Sequence, residues 1–136
     1  MSSVIRAPRI AASVWLGRVL SGLAAVFLAV DAAIKLVLIQ PVIDAMTQLG
    51  YPAGFARVVG GIELACLLLY LWPRTAVLGA VLFTAIMGGA IASHVRIGDP
   101  LFSHILFGVY LGLMLWGGLW LRDPRLRALM PWRREP

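Results

Sequence analysis

The chain has 136 residues, 61% of them hydrophobic and 13% charged, and carries a formal net charge of +6. A soluble domain carries about 25% charged residues, so this chain is too apolar to coat a water-exposed surface. Disorder and a soluble enzyme are excluded, and the basic excess reads as membrane topology rather than nucleic-acid binding.

Apolar runs at residues 19–39, 55–72, 75–94 and 101–121 organise the chain. Each approaches the length of about 20 residues that a helix needs to cross a bilayer core. No alternating strand pattern is present. A spanning segment must also satisfy its own backbone, so the predicted class is all-α. We expect an integral membrane four-helix bundle forming one domain over residues 1–136.

Arg6, Arg9 and Arg18 precede the first span. Its apolar pattern continues through Ile34 to Ile39, which favours a retained helix over a cleaved signal peptide. Within it Asp31 and Lys35 stand four residues apart, on one helical face. Residues 41–49 then place Val42, Ala45, Met46 and Leu49 on one side of a short amphipathic helix. Gly50 and Pro52 are expected to end it, leaving it to cover the outer mouth of the bundle.

The second span has Arg57 in its first turn and Glu63 inside it, and Trp72-Pro73-Arg74 makes a tight turn to the third. That third span carries no Asp, Glu, Lys or Arg before His94. Gly98-Asp99-Pro100 reads as a turn followed by an N-cap and an N1 proline opening the fourth span, with His104 near its start. Asp123-Pro124 repeats that signal ahead of a second amphipathic helix at 124–130, inside a basic tail at 122–136.

Orientation follows from the arginines. Arg6, Arg9, Arg18, Arg74, Arg122, Arg125, Arg127, Arg133 and Arg134 fall on one side of four spans, which the positive-inside rule makes cytoplasmic. Both termini are then cytoplasmic.

With that topology the polar residues gather in one layer. Measured from Arg18, Asp31 lies about 20 Å and Lys35 about 25 Å along the first helix. Glu63 lies roughly 9 Å below Arg57, and His94 and His104 flank the same outer turn. Asp31 and Lys35 can neutralise each other. Glu63 cannot find a base on its own helix, because Arg57 lies at about 240° around the wheel. It must meet a partner on another helix, reach water or take up a proton, and Lys35, His94 and His104 are at matching depth.

His104 shares a small-residue stripe with Gly108 and Gly112, which points it at protein, and His94 adjoins the stripe Ala85, Gly89 and Ser93. The candidate ligand-binding residues are Asp31, Lys35, Glu63, His94, Arg96, Asp99 and His104. Cys66 is the only cysteine, so a disulfide, a CxxC pair and a thiolate zinc site are excluded within the chain. It reads as a small buried apolar residue.

The residues that carry a family likeness are now in view. They are Asp31 with Lys35, Leu49-Gly50-Tyr51-Pro52, Gly60-Gly61-Ile62-Glu63, and the block from His94 through Gly98-Asp99-Pro100 to His104. Trp116-Gly117-Gly118-Leu119 and Leu121-Arg122-Asp123-Pro124 complete the pattern. Over about residues 14–131 the chain resembles the DoxX-like family. The resemblance implies a compact four-helix membrane protein, mostly bacterial in occurrence and so placed in the cell inner membrane. The family takes its name from subunits associated with thiosulfate:quinone oxidoreduction, and relatives are linked to redox-stress membrane complexes. A lone cysteine offers no thiol pair for direct sulfur chemistry here.

Two functions of different class remain open. In one, the polar layer binds a quinone or another small apolar molecule in a redox-linked role, with Lys35 or a histidine as donor and Glu63 or Asp31 moving protons. In the other, the chain is a non-catalytic subunit or assembly factor of a membrane complex, or a homo-oligomer, and the cluster is a structural network. A haem or metal centre is not expected, because the histidine spacing matches no specific motif and Lys35 disfavours a cation. Transport is less favoured in the absence of an inverted repeat. The expected surroundings are a lipid bilayer and no nucleic acid.

Overall fold

The computed structural model describes residues 11–133; Arg6, Arg9 and Arg134 of the topology argument lie outside them. The described chain is helical, with α1 at Ala12–Val37, α2 at Gln40–Leu49, α3 at Phe55–Leu71 and α4 at Ala76–Arg96. A π-helical turn at Leu101–Ile105 leads into α5 at Phe107–Arg122, and α6 at Pro124–Leu129 follows. The all-α expectation is borne out.

Three segments are long and apolar enough to cross a membrane: Ala12–Val37, Ala76–Arg96 and the joined Leu101–Arg122. With 17 residues, α3 extends only about 26 Å, a little less than a hydrocarbon core. α1 packs on α3 and α5, and α4 packs on the same two, closing a ring of four helices. Large apolar side chains cover the outside of this ring, among them Leu23, Val26, Val30, Leu68 and Leu113. In water each would be a liability, whereas lipid is as apolar as they are.

Several boundaries differ from the sequence reading. α1 starts at residue 12 instead of 19, because Arg18 does not interrupt the helix; its guanidinium lies 6.0 Å from the Trp15 ring. It ends at Val37, two residues short of Ile39, where Leu38 adopts a left-handed backbone (φ 59°) and turns the chain into α2. α2 itself has Pro41 in its first turn and Gly50 in the left-handed conformation (φ 79°) as its C-cap. The Asp123 carboxylate caps α6 by accepting from the Arg125 N–H at 2.9 Å.

Small residues set the helix spacing. A Cβ on Gly17 would sit 2.7 Å from the Gly118 carbonyl oxygen, and one on Gly79 would sit 2.5 Å from the Tyr70 nitrogen. The expected Gly108/Gly112 stripe is only half used. Gly108 meets Ile91 and Met87, while Gly112 faces open space, as does Gly89.

Away from the polar layer the core is filled by Leu28, Tyr70, Phe83 and Leu115, all essentially without exposure. Tyr70 ties three helices together there. Its hydroxyl donates to the Leu115 carbonyl at 2.7 Å and accepts from Ser21 Oγ at 2.7 Å. Tyr70→Phe leaves the buried Ser21 hydroxyl without its acceptor and should cost about 1–2 kcal/mol of stability. Equilibrium unfolding in mixed micelles measures it, and an unchanged midpoint would mean that Ser21 re-pairs locally.

Candidate ligand-binding site

Asp31 and Lys35 occupy successive turns near the end of α1, and the neighbouring helix comes unusually close there. A Cβ on Gly60 would lie 2.9 Å from Lys35 Cβ and 3.0 Å from the Ala32 carbonyl oxygen, so only glycine fits. One turn further along α3, Glu63 is thereby brought opposite Lys35. The Lys35 ammonium donates to Asp31 Oδ2 and to Glu63 Oε1, each at 2.6 Å. Two carboxylates thus share one cation, with Glu63 only 1% exposed. Its second oxygen, Oε2, is buried and has no hydrogen-bond partner among the described residues.

The histidines approach from α4 and the π-helical turn. Nδ1 of His94 pairs with the Asp99 carboxylate, which orients the ring and leaves Nε2 free. His104 lies edge-on to His94, with ring centroids 5.7 Å apart. Ser103 Oγ is 2.8 Å from its Nδ1. The π-helical turn is closed by the Leu106 N–H bonding the Leu101 carbonyl, five residues back.

Asp99 was expected to cap the fourth span, with Pro100 at N1. Instead Asp99 is spent on His94, and Pro100 stands ahead of the π-helical turn with no side-chain cap.

Between these groups lies a cavity of about 480 Å³, a size usual for a small-molecule site. Asp31, Lys35, Glu63, His94 and His104 line it together with Val59, Met87, Ile91, Phe107 and Leu111. Ala45, Met46 and Leu49 of α2 close one side. The walls are therefore mainly apolar, and the charged groups are confined to a few positions.

Arg96 and Asp99 do not line this cavity. The Arg96 guanidinium bonds the Leu49 carbonyl at the C-terminal end of α2, where a positive charge suits the helix dipole. It holds α2 in place, as Asp99 holds His94. The sequence reading missed Tyr51, Phe55 and Ser93, which also line the cavity. Tyr51 stacks on Phe55 with centroids 5.4 Å apart and donates to Ser93 Oγ at 2.9 Å. In the sequence Tyr51 figures only in the family likeness and Ser93 only in a small-residue stripe, and Phe55 carries no signal beyond its spacing of four from Tyr51. Among the described residues, no three His, Cys, Asp or Glu side chains are grouped to hold a metal ion.

The sequence model of the DoxX-like family matches residues 19–118. The chain belongs to the DoxX-like family. No curated protein and no solved structure matches it. The family match contains every polar residue of the DoxX-like cavity, from Asp31 to His104. It stops short of the Asp123-Pro124 segment that the sequence resemblance had included.

Proposed function

We propose that this DoxX-like chain is a multi-pass protein of the cell inner membrane that binds a quinone or similar small apolar molecule in a redox-linked role. The observation that carries this reading is a cavity of about 480 Å³ whose apolar walls surround a buried ion triplet and two histidines. A purely structural network would pair all its groups and enclose no such space; here Glu63 Oε2 has no partner among the described residues.

The chemistry of the lining groups suits a quinone. Its two carbonyl oxygens need donors, and its reduction takes up protons. Lys35 has one ammonium proton beyond the two given to Asp31 and Glu63, and the His94–Asp99 pair holds an imidazole in a fixed orientation. Glu63 and Asp31 are placed to hold a proton next to the bound head group. The flat rings of Tyr51, Phe55 and Phe107 suit an aromatic ligand.

The same reading puts both termini in the cytoplasm. In its support, Arg74 and Arg125 line one cleft, and Gly17 packs beside Arg122. Both contacts lie at the end of the ring away from the cavity, so the arginine-rich ends of the helices share one side.

Binding of a short-chain quinone analogue in nanodiscs tests the proposal. Ala90 also lines the cavity, and Ala90→Phe, which adds a ring there, should weaken affinity more than tenfold. His104→Ala should weaken it severalfold by removing one donor. Unchanged affinity in both variants would dismiss this cavity as the site. No binding by the native protein, with a stoichiometric partner co-purifying, would favour the non-catalytic subunit.

A further inference from the structure

The hydrogen-bond inventory of the triplet says something about the ligand itself. Lys35 has three N–H donors, and two are committed at 2.6 Å to Asp31 Oδ2 and Glu63 Oε1. Glu63 is 1% exposed, lines the cavity, and keeps Oε2 buried with no donor opposite it. A carboxylate oxygen in that position costs free energy until something donates to it. No donor among the described residues does so.

We propose that the cavity is built for a neutral ligand carrying a hydroxyl donor, a phenol or hydroquinone, whose O–H bonds Glu63 Oε2. This deepens the function proposed above and rests on it: the reduced, hydroxylated form of the ring compound is the one this site holds more tightly. A cationic donor is drawn to the two carboxylates but must shed its hydration shell in a mainly apolar space, a cost that a neutral hydroxyl avoids. A ligand bearing only acceptors leaves Oε2 as it is, buried and unpaired.

A matched pair of probes reads this directly. Para-heptylphenol and para-heptylanisole differ by the hydroxyl proton and one methyl group, and isothermal titration in micelles, with a micelle blank, gives both affinities. The native protein should prefer the phenol by about tenfold or more, as expected for a hydrogen bond to a charged acceptor.

In Glu63→Gln the amide oxygen stays on Lys35 and the NH2 group replaces Oε2, so a donor stands where an acceptor stood. The preference should vanish or invert. Equal affinity for both probes in the native protein overturns the inference while leaving the binding site standing. A preference for the anisole, or tighter binding of para-heptylbenzylamine than of the phenol, overturns it too. A phenol preference that survives Glu63→Gln overturns the assignment to Glu63. If neither probe binds the native protein, the proposed function falls and this inference with it.

Discussion

Lys35→Met should destabilise the protein by about 3–5 kcal/mol, the usual cost of stripping one partner from a buried ion pair. The substitution keeps the length of the apolar stem, with sulfur in place of Cδ, and removes the ammonium. Asp31 and Glu63 then face each other with no cation between them, and Glu63 has a side-chain exposure of just 2% through which water can reach it.

Adding Glu63→Gln to Lys35→Met should recover a substantial part of the loss, because a neutral amide is far cheaper to bury than a carboxylate. Adding Asp31→Asn as well should recover less, since Asp31 is a quarter exposed and partly solvated already. The measurement is reversible unfolding in mixed micelles for the single, double and triple variants. A loss below about 1 kcal/mol for Lys35→Met would show that water, and not the lysine, satisfies the two carboxylates.

Gly79→Ala should be nearly as damaging, at roughly 3 kcal/mol, the upper part of the range for overpacking. Its new Cβ would meet the backbone of α3, at 2.5 Å from the Tyr70 nitrogen and 2.9 Å from the Cys66 carbonyl oxygen. A backbone cannot swing aside as a side chain can, so α3 and α4 must separate. Gly112→Ala is the matched control, because nothing lies within 4 Å of its added Cβ. It should be neutral, or stabilising by about 0.5–1 kcal/mol through the lower entropy cost of alanine in a helix. Equal effects of the two substitutions would mean that the Gly79 contact is not as close as described.

That contrast also explains how much was legible in the sequence. Hydropathy and cap residues revealed the helices, since Asp123 and Pro124, or Gly50 after Leu49, act within a single turn of chain. The Asp31–Lys35 pair was equally local, four residues on one helix. Which glycines separate helices was not local. Gly108 and Gly112 formed the visible motif, yet the tightest approaches run through Gly17, Gly60, Gly79 and Gly118, whose partners lie on other helices.

The Lys35–Glu63 contact depends on Gly60 in the same way, so sequence gave three candidate partners where the fold selects one. The π-helical turn was hidden for another reason. Apolar periodicity over five residues does not distinguish bonds to the fourth residue back from bonds to the fifth. Asp99 was accordingly assigned to a helix cap rather than to His94. Tyr51 carries no chemistry distinctive enough to mark it, and only the fold of α2 against α3 gives it a place at the cavity.

The Tyr70 knot has a consequence for traffic through the molecule. Together with Leu28, Phe83 and Leu115 it fills the middle of the ring, while the cavity hollows out the end beneath α2. The protein in this conformation is a vestibule with a floor, not a conduit. On the proposed function, the packed middle closes the route to the arginine-rich end, so ligand and proton would be exchanged at the α2 end of the ring.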